Sequence, residues 1–461
     1  MILARRRIVL GRSLLLLSFF HFNIIAGLLL GTGIVFPLHA QDILAPTPPM
    51  GWNSWDAYGT TVTEAEVKAN ADAMASGLKQ FGWQYIVIDI QWYEPNAKAH
   101  GYRQNAQLEM DGHGRLIPAV SRFPSAANGQ GFKPIAEYVH SKGLKFGIHI
   151  LRGIPRQAVA QNVPILGSTE HAADIADKQS LCDWNTDMYG LDMSKQGAQA
   201  YYDSMVTQYA KWGVDFIKAD DMARPYHKAE IAALHRAIVR SGRPIVLSLS
   251  PGPAPLDEVN HLRANAQMWR IEDDLWDNWD SLKKMYYRTE SWSALVTPDH
   301  WPDADMLPLG RIGIRAERGE DRHSKLSQDE QKTLMTLWSI FRSPLMFGGD
   351  LPSLDPFTRS LLTNADVIAV NQHSTGNKVA YRQGLIRAWT ASAEDSPDRY
   401  IAVFNLADSV SHVNLSWRQV GIDSAPKSIR DLRTSTSGIA PTALELELEP
   451  HASVLYRVTL N

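Results

Sequence analysis

Residues 214–221, VDFIKADD, bring a lysine and a carboxylic acid to the same side of an extended strand. Side chains alternate along a strand, so Lys218 and Asp220 share one face near its carboxyl end. The positive charge of the lysine lowers the pKa of a nearby carboxyl group, and Asp220 is therefore expected to be ionised and able to act as a nucleophile. The alternative is a surface salt bridge at a strand end.

A second acidic stretch, Glu272, Asp273 and Asp274, follows Arg270. Repulsion among adjacent carboxylates should raise the pKa of at least one of them, as a general acid requires, although spacing alone does not say which. One ionised and one protonated carboxyl group are the two catalysts of glycosidic bond cleavage. A solvated acidic loop is the alternative interpretation of this triplet.

The elements that position these acids alternate between strands and helices. Eight strand patterns can be counted, among them a buried apolar run that ends at Asp89, and capping boxes at Thr63 and Ser327 mark helix starts. Eight such units predict an α/β fold, a (β/α)8 TIM barrel over residues 41–383. Short alternating runs from about Gly384 predict a small C-terminal antiparallel β-sandwich over residues 384–461.

Six polar residues fall at or just past the carboxyl ends of different predicted strands, where barrel enzymes build their active sites. They are Asp89, His149, Asp220, Ser250, Asp274 and Asp305. Two long segments without periodicity, 93–130 and 152–194, are expected to border the same face, the second as a lid or wall.

A metal site is the competing interpretation of these residues. His149, together with His300, Asp303 and Asp305, could supply metal ligands. However, a cation accompanies each of the two central carboxylates, which favours paired-acid catalysis without a metal or cofactor.

The composition excludes some function classes. A net charge of −3 without a basic stripe gives no reason to expect a nucleic acid partner. Cys182 is the only cysteine, which excludes an intrachain disulfide and a cysteine-based zinc site. Residues 1–40 combine four arginines, a long apolar run and a terminal Ala40, the pattern of an export signal. We expect a periplasmic or secreted enzyme without stable membrane association after cleavage; an uncleaved anchor is the alternative.

Five ordered motifs span the predicted barrel. They are MGWNSW at 50–55, the strand end at Asp89 with Trp92, KAD at 218–220, WR at 269–270 with Asp274, and DADML at 303–307. Together they resemble the motifs of glycoside hydrolase family 27, the α-galactosidase and α-N-acetylgalactosaminidase family. The resemblance implies a retaining, metal-independent exo-glycosidase that releases terminal α-D-galactosyl residues from oligo- or polysaccharides.

The same resemblance implies roles for individual residues. Asp220 corresponds to the family nucleophile and Asp274 to the acid/base. The sugar-binding wall corresponds to Trp55, Asp89, Lys218, Arg270 and Asp305, and His149 and Ser250 complete the predicted substrate contacts.

Some positions depart from the family pattern. Ile90 stands where a second Asp is usual, so one polar contact to the galactose hydroxyls is missing. His149 replaces a Tyr, and Gln91 and Met222 replace two Cys. Ser250 lies where α-galactosidases place a Glu near the sugar 2-position, and a small residue there resembles the N-acetylgalactosaminidase version. The sugar is therefore open between these two, and a catalytically idle sugar-binding barrel is the alternative from another class.

Overall fold

The computed structural model describes residues 43–460, and the predicted export signal at residues 1–40 lies outside them. Eight short parallel strands, β1 to β8, form the central sheet. They are Met50–Asn53, Tyr85–Ile88, Lys145–Leu151, Phe216–Asp220, Val246–Leu249, Met268–Arg270, Trp301–Asp303 and Leu345–Phe347. β1 pairs with both β2 and β8, and a parallel bridge between Leu307 and Phe347 joins the segment after β7 to β8. The sheet thus closes into the predicted barrel.

Burial on both faces explains the apolar sequences of these strands. In β2, the side chains of Ile86, Val87 and Ile88 are all fully buried, because the barrel interior lies on one side and the outer helices on the other. Polar residues interrupt the pattern where the strands end. Asp89 and Asp220 therefore lie together at the C-terminal end of the barrel.

The main helices of the barrel, α1 to α9, follow the strands in turn. They are Glu64–Gly77, Lys133–Ser141, Gln196–Trp212, Lys228–Ser241, Val259–Asn265, Trp279–Trp292, Gln328–Phe341, Pro356–Leu362 and Ala365–Gln372. Both predicted capping boxes are present, at the starts of α1 and α7. α9 lies beyond the last helix expected from the sequence; its N-cap is Asn364, whose side chain accepts the N–H of Val367. Within residues 43–460, no helix combines the length and apolar character of a membrane span.

The C-terminal domain is an antiparallel β-sandwich, as predicted. A six-stranded sheet packs against a two-stranded sheet of Ser411–Ser416 and Ala443–Leu448. Its first strand, Ser374–Gln383, pairs with Ile386–Ala393, so the predicted boundary at residue 384 falls between two strands of one sheet. The first strand is largely exposed and polar, which explains why its sequence shows no hydrophobic alternation. The remaining strands are Arg399–Asn405, Ser428–Asp431, Ser437–Ile439 and Ser453–Thr459.

The segment 152–194, expected to be aperiodic, contains a small sheet of its own. Ile154–Pro155 and Ala176–Leu181 both pair antiparallel with Met188–Leu191. Ala176–Leu181 is polar and partly exposed on both faces, so no hydrophobic period marks it in the sequence. Two short helices, Arg156–Gln161 and Ala172–Ile175, complete this segment, which we call the insert.

Candidate active site

One pocket of about 240 Å³ opens at the C-terminal ends of the barrel strands. This volume lies below the roughly 300 Å³ at which ordinary ligand pockets begin, so the pocket suits one small ring. Five of the predicted site residues line it together: Trp55, Asp89, Lys218, Asp220 and Asp274. The two predicted catalytic acids, which are 54 positions apart in the sequence, therefore face the same cavity.

Two hydrogen bonds hold the carboxylate of Asp220 at the end of β4. His149 Nε2 lies 3.1 Å from Oδ2, and the backbone N–H of Asp221 donates to Oδ1 at 2.9 Å. Burial acts to raise the pKa of Asp220, but the hydrogen bond and charge of His149, followed by the charge of Lys218, outweigh it and hold the pKa below its usual range. Asp220 is therefore ionised, as expected, although His149 contributes more than the predicted lysine.

Lys218 makes its direct contact with another acid. Its Nζ donates to Oδ2 of Asp89 at 2.9 Å, and Asn53 donates to the same oxygen at 2.7 Å. Burial opposes ionisation of Asp89, but the charges of Lys218 and His149, together with the hydrogen bonds from Lys218 and Asn53, outweigh it and lower the pKa of this carboxyl group. The pair thus presents a fixed cation and a fixed anion on the pocket wall, where sugar hydroxyls can both donate and accept hydrogen bonds.

Arg270 joins Asp274, the second predicted catalytic acid, to a buried partner. Its Nη1 lies 2.7 Å from Oδ1 of Asp305 and 3.3 Å from Oδ1 of Asp274. Burial, together with the charges of Asp274 and Asp303, raises the pKa of Asp305 to about 7 in spite of Arg270. Asp305 therefore keeps its proton below about pH 7, beside the arginine that it shares with Asp274.

The repulsion predicted within the acidic triplet does not raise the pKa of Glu272. Burial raises the pKa of Glu272, but the Asp273 N–H and the cations Arg288 and Lys284 lower it to below its ordinary value. Asp273 forms an ion pair with Arg224 at 2.9 Å. Glu272 and Asp273 are thus each paired with other cations. The acid that shares Arg270 with Asp274 is Asp305, from the segment after β7.

Four of the predicted substrate-binding residues lie behind the pocket wall. His149, Ser250, Arg270 and Asp305 are all nearly fully buried. His149 and Arg270 contact the two predicted catalytic acids, Asp220 and Asp274, instead. Among residues 43–460, the Ser250 hydroxyl has no hydrogen-bond partner, and the next residue, Pro251, lines the pocket.

Sequence reasoning missed two aromatic residues of the pocket. The ring of Tyr102 stacks on Trp55 with centroids 5.8 Å apart and an angle of 18°, and Trp184 of the insert lies 5.3 Å from Tyr102. Both belong to the long segments without periodicity. The signal in the sequence that indicated them was the presence of large aromatic side chains in segments without periodicity, because an apolar ring in a loop needs another group to pack against.

The alternative metal trio is not assembled. His300 Nδ1 lies 3.4 Å from the carbonyl of Ala266, and Oδ1 of Asp303 accepts the backbone N–H of Asp305. Among residues 43–460, no group of three or more His, Cys, Asp or Glu is arranged to hold a metal ion.

A (β/α)8 barrel with an ionised carboxylate on β4 and a second carboxylate after β6 in the same pocket is the arrangement of a glycoside hydrolase that uses two acids. The chain belongs to glycoside hydrolase family 27. The α-galactosidase A family model matches residues 47–196 and 193–373, and that of the α-galactosidase C-terminal β-sandwich matches residues 383–458. The resemblance seen in the sequence motifs is thereby confirmed.

Relatives within this family differ in the sugar they act on. A β-L-arabinopyranosidase from Geobacillus stearothermophilus is 53% identical, with a TM-score of 0.88 over 90% of this chain and 97% of that enzyme. The α-galactosidase of Cyamopsis tetragonoloba is 29% identical over 91% of this chain and 88% of the relative. The α-N-acetylgalactosaminidase of Gallus gallus is also 29% identical, over 73% of each chain.

The Asp305 titration gives an expected pH dependence. We expect kcat/KM to fall as pH rises through about 7, because Asp305 then loses its proton and, as a carboxylate, competes with Asp274 for Arg270, which displaces the general acid. At lower pH the proton is kept, and activity persists until Asp220 itself becomes protonated. A pH profile measured with a poor leaving group checks this. The control is a dinitrophenyl glycoside, whose leaving group needs no proton. Its kcat/KM should show no decline near pH 7.

Proposed function

We propose that the enzyme is a retaining exo-glycosidase for terminal sugars of galacto configuration. Its substrates are α-D-galactosides and their pentose counterparts, the β-L-arabinopyranosides, and the pentose is preferred. The two sugars share their configuration at every ring carbon that bears a hydroxyl and differ by the exocyclic hydroxymethyl group of galactose. The proposed preference for the pentose rests on one observation, that Ile90 lies in the pocket wall.

Ile90 presents an apolar side chain at a place where the family pattern has a carboxylate. It follows Asp89 directly, is 1% exposed and lines the pocket. A galactose hydroxyl placed against it loses water without gaining a partner, which costs roughly 1–3 kcal/mol. A pentopyranose that lacks the hydroxymethyl group avoids this cost, in agreement with the activity of the relative that is 53% identical.

The reaction follows from the two acids. The carboxylate of Asp220 attacks the anomeric carbon while Asp274 gives its proton to the departing oxygen, which leaves a covalent glycosyl-enzyme. In the second step Asp274 takes a proton from water, and the water oxygen displaces Asp220. Two inversions at the anomeric carbon give net retention of configuration.

A substrate pair tests the preferred sugar. We expect nitrophenyl β-L-arabinopyranoside to exceed nitrophenyl α-D-galactoside in kcat/KM by about tenfold, the equivalent of roughly 1.4 kcal/mol. Replacing Ile90 by Asp supplies a hydrogen-bond acceptor and should reverse this ratio. The conservative Ile90→Val change is the matched control and should leave the galactoside disfavoured. A wild-type preference for the galactoside would contradict the role of Ile90.

Ser250 favours a second candidate sugar. In the family pattern, a small side chain at this position leaves room for an acetamido group at the sugar 2-position. Ser250 is buried next to Pro251, which lines the pocket, and its hydroxyl has no partner within the described residues. A clear preference for the N-acetyl-α-galactosaminide over both other glycosides would establish this alternative.

We also propose that the enzyme acts outside the cytoplasm, in the periplasm or as a secreted protein. The arginine-rich and then apolar pattern of residues 1–40 supports this location. Cell fractionation with sequencing of the mature N-terminus tests it.

A further inference from the structure

A buried arginine lies at the base of the insert, directly after β3. Arg152 is 1% exposed, and its guanidinium group binds two acids. Nε donates to the backbone carbonyl of Asp221 at 2.9 Å and to its Oδ2 at 3.0 Å, while Nη2 lies 2.8 Å from the same oxygen. Nη1 donates to Glu230 of α4 at 2.7 Å and to Ser180 of the insert at 2.9 Å.

Asp221 is the residue that follows the nucleophile, and its backbone conformation is unusual. Its φ of 58° lies in the left-handed region, which few residues other than glycine, Asn and Asp adopt. In this conformation its N–H donates to Oδ1 of Asp220 at 2.9 Å. Arg152 holds both the carbonyl and the side chain of Asp221, so it holds the direction of that N–H.

We propose that Arg152 is a positioning residue for the nucleophile. It keeps Asp221 in the left-handed conformation that aims its N–H at Asp220, and so fixes the carboxylate for attack. This inference rests on the proposed function, in which Asp220 attacks the sugar. The guanidinium group of Arg152 contacts neither the sugar nor the reacting atoms and acts through Asp221. The backbone N–H of Arg152 also donates to the carbonyl of Asp220 at 3.0 Å, a contact that side-chain variants keep.

The charges around Arg152 explain why an arginine is suited to this place. Asp221 and Glu230 are both buried, and Glu230 also accepts a hydrogen bond from Tyr202 at 2.7 Å. The planar guanidinium group offers donors in several fixed directions, so it can bind Asp221 and Glu230 at once, which a lysine ammonium does not reproduce. The network also ties β4, α4 and the insert together, and a purely structural role for Arg152 is the competing explanation.

Three variants separate positioning from structure. Arg152→Met removes the contact to Asp221. Arg152→Lys keeps the positive charge but not the several donors of the planar guanidinium group. Arg156→Met is the matched control in the same insert. Arg156 donates to the carbonyl of Met188 and stacks on Tyr189, with no contact to Asp221. We measure kcat, KM, product inhibition by the free sugar, the pH profile and the melting temperature of each variant.

For Arg152→Met we expect kcat to fall about 100-fold, as a misplaced nucleophile would cause. The inhibition constant of the free sugar should stay within about twofold, because the pocket wall is unchanged. The acidic limb of the kcat/KM profile should move to higher pH, since the loss of a donor raises the pKa of Asp220. Arg152→Lys should show the same changes to a smaller degree, and Arg156→Met should keep the wild-type kcat and acidic limb.

Two results would overturn the inference. The first is a folded Arg152 variant with a wild-type kcat and acidic limb, even if its melting temperature falls. The second is an equal loss in Arg156→Met, which would assign the effect to the insert as a whole. If Arg152→Met does not fold, Arg152→Lys is judged by the same criteria. Asp221→Asn is judged in the same way, because Asn also adopts the left-handed conformation. Failure of the proposed function is distinct, because the wild-type enzyme would then hydrolyse none of the glycosides.

Discussion

Replacing Asp220 with alanine should lower turnover by more than about 10⁴-fold, the largest effect of any single change in this enzyme. The variant keeps the pocket and the proton donor but has no atom that can bond to the anomeric carbon. His149 Nε2 and the Asp221 N–H would then point into the vacated space. That space, and those two donors, suit a small anion.

Azide should therefore restore cleavage of an activated glycoside in the Asp220→Ala variant. A single displacement by azide yields a glycosyl azide of inverted configuration, which NMR identifies. Asp423→Ala, an exposed acid of the C-terminal domain, is the control and should keep wild-type turnover. Full activity of Asp220→Ala, combined with loss of wild-type activity on adding a chelator, would contradict the double displacement and support a metal-dependent reaction.

Replacing Asp274 with alanine should cost about 10²–10⁴-fold in kcat/KM for glycosides whose leaving oxygen must be protonated. A dinitrophenyl glycoside should lose much less in the first step, because this leaving group departs as an anion. Its turnover should then be limited by hydrolysis of the glycosyl-enzyme, since no base activates the water. Added azide should react with that intermediate and give a glycosyl azide of retained configuration.

The neighbouring acid provides the comparison for this experiment. Asp273→Asn removes a carboxylate one position away, but that carboxylate forms an exposed ion pair with Arg224, of the kind worth about 0–1 kcal/mol. We expect a loss below about tenfold that does not depend on the leaving group. If the loss of kcat/KM depended on the leaving group in Asp273→Asn but not in Asp274→Ala, Asp273 would be the acid/base and Asp274 would not.

Much of the fold could be read from local patterns. The strand ending at Asp220 and the capping boxes of α1 and α7 depend on residues close in sequence, and the structure has each of them. The strand Ser374–Gln383 and the sheet in the insert were not expected. Both are polar and partly exposed, so no periodic burial marks them in the sequence.

The sequence by itself determined the barrel, the sandwich and the placing of Asp220 and Asp274 at strand ends, because hydrophobic period and motif spacing are properties of neighbouring residues. Only the tertiary structure decided which groups act on these acids. Lys218 pairs with Asp89, and His149 binds Asp220. Asp274 shares Arg270 with Asp305, whereas Glu272 and Asp273 are neutralised by other cations. Electrostatic interactions depend on distance through space and on burial, and both are set by the closure of the barrel, which brings together strands far apart in the chain.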